Sequence, residues 1–131
     1  MIFDHIGIFA ADQDIGFERL RKILEIKEVS ELYTDPIIDV CVRFIYDSSN
    51  IKYELVTPLS ENSPVAGALR RKANILNHIA YKTKNFDQKV KELRISGAVP
   101  LSKPTPAVAF GGQRVVFFLT NMNFIIELID A

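Results

Sequence analysis

A single cysteine in 131 residues leaves nothing for an intramolecular disulfide to form with, and Cys41 falls in the run VCVRF, where a small buried hydrophobe is the expected role. No oxidising compartment is implied. Net charge is missing too, because sixteen Lys and Arg cancel sixteen Asp and Glu. A neutral chain without a basic block is a poor generic partner for nucleic acid, whose phosphates require clustered cations. The one short cluster, Arg70, Arg71 and Lys72, reads as the C-terminal end of a helix, where cations suit the dipole. No apolar run approaches the length of a membrane span. The opening MIFDHIGIF carries neither the basic flank nor the long apolar stretch and cleavage site of a signal peptide. The expectation is a cytoplasmic protein with no nucleic-acid and no membrane partner.

Histidine is almost as scarce. His5 and His78 are the only two, and each is followed 49 residues later by a glutamate inside an apolar run, Glu54 and Glu127. The two pairs are offset by 73 residues, and so is the sequence around them. VRFIYDSSNIKYELV from Val42 lies over VVFFLTNMNFIIELI from Val115 in one register, so Phe44 meets Phe117, Asn50 meets Asn123 and Leu55 meets Leu128. FDHIGIF lies over LNHIAYK, and RLRKILEIKEV matches KVKELRISGAV at a slightly shorter offset. A period this long and only twofold reads as two copies of one supersecondary unit packed against each other. The chain is long enough for one domain with a real core, so we expect a single domain over 1–131: module one over about 1–57, a linker helix over about 63–72, and module two over about 74–131.

Periodicity gives each module its order. IFDHIGIF alternates as a strand that holds the histidine on one face. Asp12 caps a helix expected over about 15–24, with Ile15, Leu20, Ile23 and Leu24 on its inner stripe. Strands are expected over about 28–33, 37–46 and 51–56, with DSSN as the last turn. Ser63 and Pro64 start the linker helix, Pro64 at the first helical position where its missing N–H costs nothing. The second half repeats the order with a strand over 75–81, a helix over 86–96 stopped by Gly97, a short strand near Val99, and strands over 114–119 and 124–129. A Pro- and Gly-rich loop over 103–112 is the one sizeable departure between halves. Phe110, Gly111 and Gly112 in it are candidates for a substrate contact, or for a tight bend feeding the strand at Arg114. The fold class is α+β, two tandem βαβββ modules.

Both glutamates sit in strands whose neighbours belong in a core, and an ionised carboxylate buried there needs a cation, a metal or hydrogen bonds. Lys52 is available to Glu54 on the same strand face, whereas Glu127 has only Ile125 and Ile129. Repeats packed about a pseudo-twofold axis bring equivalent residues to that axis. His5, Glu54, His78 and Glu127 then form a two-imidazole, two-carboxylate shell for one divalent ion such as nickel, cobalt or zinc, with two cis positions left for water or substrate oxygens.

With these residues in place the chain resembles the vicinal oxygen chelate superfamily, which includes glyoxalase I, methylmalonyl-CoA epimerase, extradiol dioxygenases and bleomycin-resistance proteins. DHIGI, YELV, NHIAY and IIELID stand at that family's four ligand positions, and the resemblance implies that the curved mixed sheets of the two modules enclose a metal-binding cleft. The segments ELVTPLSENSPVAGAL and GGQRVVFF are most similar to its epimerase and glyoxalase-like branch. The resemblance implies a metal-dependent isomerase or lyase, cytoplasmic and homodimeric, that shifts a proton next to a carbonyl of a thioester or hemithioacetal. It acts either as a methylmalonyl-CoA epimerase or as a glyoxalase I (lactoylglutathione lyase), with Glu127 as ligand and catalytic base. Where such epimerases carry a further glutamate, this sequence offers Val42 or Arg43. The alternative is a non-catalytic small-molecule binding or sequestering protein of the bleomycin-resistance type, which typically lacks the four-ligand set. An extradiol dioxygenase is disfavoured, since its iron takes three protein ligands.

Overall fold

The computed structural model describes residues 1–72 and 75–131, so the expected start of the second module at about 74 lies outside the described residues. The chain forms two compact units, His5–Asn77 and His78–Ala131, with Met1–Asp4 counted in the second. No helix among the described residues is long and apolar enough to cross a membrane.

In the first unit the elements run β1 (Ile2–Phe9), α1 (Gln13–Arg21), β2 (Ile26–Asp35), β3 (Val40–Asp47), β4 (Lys52–Pro58) and α2 (Pro64–Arg71). Its strands are ordered β2-β3-β4-β1, antiparallel except for the parallel pair of β1 and β4. This is the expected βαβββ order. Asp12 caps α1 as expected, its side chain accepting from the Ile15 N–H at 2.9 Å.

The inner face of that helix differs from the expectation. Ile15 is 55% and Ile23 77% exposed, while Gly16 is buried. A Cβ on Gly16 would stand 3.0 Å from the Ala10 Cβ and 3.4 Å from the Leu55 methyls, so the helix lies on the sheet with backbone where a large side chain was expected. Gln13 fixes it there, donating from Nε2 to the carbonyls of Cys41 and Leu55, both at 3.0 Å. With positions 13 and 16 facing in, Ile15 is turned away by the 3.6-residue period.

The linker helix α2 ends at Arg71, and the Ser63 side chain accepts from the Val65 N–H with Pro64 in the first turn, as expected.

The second unit continues with β5 (Leu76–Thr83), α3 (Phe86–Ile95), β6 (Val99–Pro100), β7 (Thr105–Pro106), a 3-10 turn (Val108–Phe110), β8 (Arg114–Leu119) and β9 (Ile125–Asp130). Its order is β5-β9-β8-β6, with β7 also on β8 and β5 parallel to β9. The segment expected as loop over 103–112 thus contains a short strand. Thr105 and Pro106 pair with Val115 and Arg114, at an edge where proline is tolerated. Gly97 ends α3 with φ 99, a conformation glycine adopts without strain.

The two units repeat one pairing pattern. Gly7 opposite Glu54 and Phe44 opposite Glu54 in the first unit become Ala80 opposite Glu127 and Phe117 opposite Glu127 in the second, each shifted by 73 positions. Alternation along the strands then separates the faces. In the second unit Phe86, Ala98, Val116, Phe118, Ile126 and Leu128 close a core beneath α3. Val115, Phe117, Glu127 and His78 take the opposite face.

Candidate metal centre

His5 enters from β1 and Glu54 from the parallel neighbour β4, where it stands opposite Gly7, two positions beyond His5, so both side chains leave the same face of the sheet. Their Nε2 and Oε1 atoms stand 3.6 Å apart. His78 on β5 and Glu127 on β9 repeat the arrangement in the second unit at 3.2 Å. All four side chains are sealed from water, at 0%, 5%, 4% and 2% exposure for His5, Glu54, His78 and Glu127. A buried carboxylate is costly unless a cation or a set of donors compensates it, and each of these has an imidazole nitrogen at hand.

The spacing within each pair fits ligation of an ion. Two donors each about 2.0 to 2.2 Å from a divalent ion, subtending about 90 to 110° at it, stand about 2.8 to 3.6 Å apart. The observed 3.2 and 3.6 Å match that spacing. One nitrogen and one oxygen per pair is a borderline donor set, suited to zinc, cobalt or nickel more than to calcium or magnesium, which prefer oxygen alone.

An aromatic ring supports each histidine. Phe44, in register opposite Glu54, meets His5 edge-to-face with centroids 5.9 Å apart. Phe117, in register opposite Glu127, meets His78 in the same way at 5.1 Å. These rings were aligned by the repeat but not recognised as part of the site. The signal was present in the sequence, since a phenylalanine stands ten residues before each glutamate.

Lys52 is more closely engaged with aromatic carbon than expected: its ammonium lies 4.2 Å from the centre of the Phe44 ring. Arg43 faces the helix side of the sheet, over Phe17 at 5.6 Å, and Val42 is a buried aliphatic. That stretch of β3 therefore brings no carboxylate to the His5 face.

The Phe110 turn has the geometry of the tight bend. The 3-10 turn ends on Gly111 at φ 62 followed by Gly112 at φ 85, and the Ala107 carbonyl accepts from the Gly112 N–H at 3.0 Å. An added Cβ at either glycine would meet nothing, so the backbone conformation, not close approach, requires glycine.

Residues 4–117 match the family model described as the Glyoxalase/Bleomycin resistance protein/Dioxygenase superfamily. The ethylmalonyl-CoA/methylmalonyl-CoA epimerase of Cereibacter sphaeroides is 31% identical over 115 residues, which span 87% of this chain and 84% of that protein. The mitochondrial methylmalonyl-CoA epimerase of Homo sapiens is 32% identical over 115 residues, 87% of this chain and 64% of that protein. Among solved structures, methylmalonyl-CoA epimerase from Mycobacterium tuberculosis is similar with a TM-score of 0.80 at 21% identity, over 98% of this chain and 86% of that one. A methylmalonyl-CoA epimerase in complex with methylmalonyl-CoA and NH4+ gives 0.77 at 24% identity, over 99% and 94%. At those identities the structures speak for the fold alone.

Proposed function

Since the chain belongs to the glyoxalase/bleomycin resistance protein/dioxygenase (vicinal oxygen chelate) superfamily, we propose that it is a metal-dependent epimerase of methylmalonyl-CoA-type thioesters. The observation that carries this reading is the buried His–Glu pair found once in each unit, in a chain 31% identical to a named epimerase. We propose that the two pairs are halves of one shell in which His5, Glu54, His78 and Glu127 together hold one divalent ion, nickel, cobalt or zinc.

An ion held there supplies Lewis acidity, which lowers the cost of negative charge on a carbonyl next to an acidic C–H. The protein residues do the rest. His5 and His78 are fixed by Phe44 and Phe117 and so present Nε2 in one orientation. Glu127, flanked on its face by Ile125 and Ile129, takes the proton from the α-carbon on a carboxylate oxygen. Inversion requires return of a proton to the other face of that carbon. Val42 and Arg43 offer no group for this, which leaves Glu54, the repeat-equivalent carboxylate, in that role. Phe110 with Gly111 and Gly112 is the proposed substrate-contacting turn, supported by its half-buried ring beside exposed glycines. The same reading takes the enzyme as a cytoplasmic homodimer, which sedimentation of the purified chain tests.

The decisive measurement is solvent deuterium incorporation at C2 of methylmalonyl-CoA, followed by mass spectrometry on metal-loaded protein. Exchange with interconversion of the two epimers is the expected result. Exchange into a glutathione hemithioacetal instead would make the protein a glyoxalase. No exchange into either, in protein shown to hold its metal, would leave the sequestering alternative ahead.

A further inference from the structure

The repeat supplies an internal control for one residue. On the face of β3 and β4 that carries the first pair stand Val42, Phe44, Tyr46, Lys52, Glu54 and Val56, and Lys52 is its one cation. In the second unit Ile125 occupies the same register position, opposite Leu119 as Lys52 is opposite Tyr46. Strand pairing at this position is therefore met by an aliphatic side chain. A half-buried ammonium in its place costs desolvation, and the face of Phe44 at 4.2 Å is one of the contacts that offset it.

The position of that charge is fixed by the same ring that supports His5. Phe44 stands 5.9 Å from the His5 ring, so the ammonium lies no farther from the imidazole than those two separations laid end to end. It is also the next residue along the strand face from Glu54. A cation held beside the His5–Glu54 pair, and held there only in one of two otherwise equivalent units, has the chemistry of an anion contact.

We infer that Lys52 binds the free carboxylate of a 2-carboxyacyl thioester and so selects that substrate class over simple acyl thioesters. The inference rests on the epimerase reading. The acyl carboxylate is assigned over the phosphates of coenzyme A because it is attached to the reacting carbon, which must lie beside the His–Glu pairs, whereas the phosphates lie at the far end of the long pantetheine arm. A lysine donates to one carboxylate oxygen and leaves the other open, since a carboxylate offers about four lone-pair sites on its two oxygens.

Calorimetric binding of malonyl-CoA and of propionyl-CoA to the metal-loaded chain, in wild type, Lys52→Met and Lys52→Arg, tests this without relying on turnover. Wild type should prefer malonyl-CoA. Lys52→Met should weaken malonyl-CoA by about ten- to a hundredfold, the range of a hydrogen bond to a charged group, and propionyl-CoA by no more than about twofold. Lys52→Arg should restore most of the difference, because it keeps the charge. Equal weakening of both ligands would assign the lysine to a phosphate and overturn the inference. No weakening of either would overturn it too. Metal content measured in the same samples should be unchanged; its loss would show that Lys52 acts only by holding Phe44 against His5. If the preference is intact but methylmalonyl-CoA is not epimerised, the epimerase reading fails and the carboxylate contact stands.

Discussion

Phe44 and Phe117 do the same thing in the two units: each lies across the ladder from a buried glutamate and sets its ring edge-to-face against the histidine paired with that glutamate, at 5.9 and 5.1 Å. The strand period explains why. A residue directly opposite the glutamate on the adjacent strand must leave the same face of the sheet, and the histidine comes from the strand on the glutamate's other side. Glutamate, ring and imidazole are therefore neighbours by construction. Duplication of the strand pairing duplicates the whole half-site, and a change to one ring is expected to act on one histidine only.

His78→Ala should leave the purified protein without stoichiometric metal. Glu127 is nearly sealed from water, and His78 Nε2 is the donor 3.2 Å from it. Removing one ligand of the proposed shell costs both the bond and the orientation of its partner. Elemental analysis after purification without added metal or chelator should give about one divalent ion per site in the wild type and far less in the variant. Full occupancy in His78→Ala would mean that these residues do not form a metal shell.

The hairpin turns offer a test of the duplication that does not involve the site. Asn50 and Asn123 are 73 residues apart and share φ 64. Each N–H donates back three residues, to the carbonyls of Asp47 and Thr120, both at 3.0 Å. Asparagine tolerates the left-handed region better than other residues with a Cβ, and glycine tolerates it best. Asn123→Ala should therefore cost about 1 kcal/mol of stability and Asn123→Gly less than about 0.5 kcal/mol. Urea unfolding with an unchanged slope reads the difference. Equal losses for the two variants would show that the side-chain amide, not the backbone angle, sets the preference.

What the sequence disclosed and what it hid follow from the same physics. The His–Glu pairs and the asparagine turns were legible because the interactions are local to a strand or hairpin and occur twice, so each copy validated the other. The βαβββ order was legible in the first half for the same reason. The inner face of α1 was not, because the expectation placed the largest apolar side chains inside, whereas Gly16 against Ala10 and Leu55 brings the backbone itself onto the sheet and leaves Ile15 outside. The strand at Thr105 was hidden because its partners, Val115 and Arg114, lie across a turn, and two prolines in the segment read as loop. The contact of Lys52 with Phe44 was hidden by the obvious opposite charge two residues away.

Acid should weaken the second unit through Arg114. Its guanidinium donates from Nη1 and Nη2 to Asp87 at 3.1 and 3.3 Å and from Nε and Nη2 to Asp130 at 3.0 and 2.8 Å, while lying over the Phe86 ring. The start of α3 is thereby tied to β8 and β9. The hydrogen bonds from Arg114 hold the Asp87 carboxyl below the usual carboxylate range. A group whose folded value is depressed adds stability above its unfolded value and loses it as the pH falls through the folded one. Both partners are largely exposed, so the effect is small. Arg114→Gln should melt lower than wild type near neutral pH, and the two should converge well below the ordinary aspartate value of about 3.9. A gap in melting temperature that stays constant down to pH 2 would assign the loss to the Phe86 contact instead.

The two carboxylates should differ in their share of the chemistry even though the repeat makes them equivalent in geometry. Glu54 has Lys52 as the next residue on its strand face, whereas Glu127 has Ile125 and Ile129. A nearby cation stabilises the ionised form and makes a carboxylate a weaker base, and the face of Glu54 carries a cation where that of Glu127 carries isoleucine. Glutamine keeps an oxygen donor for a metal while removing the proton-accepting charge, so Glu→Gln separates ligation from base catalysis. Glu127→Gln should reduce deuterium incorporation at C2 of methylmalonyl-CoA by at least about a hundredfold, the lower range of general-base contributions, with metal content retained. Glu54→Gln should reduce it by no more than about tenfold when exchange starts from the epimer whose proton faces Glu127. Starting each reaction from a single epimer in deuterated solvent distinguishes removal of the proton from its return. A variant that exchanges without inverting has lost only the returning group. Equal losses for the two variants from both epimers would remove the distinction between Glu127 and Glu54, and a larger loss for Glu54→Gln would reverse it.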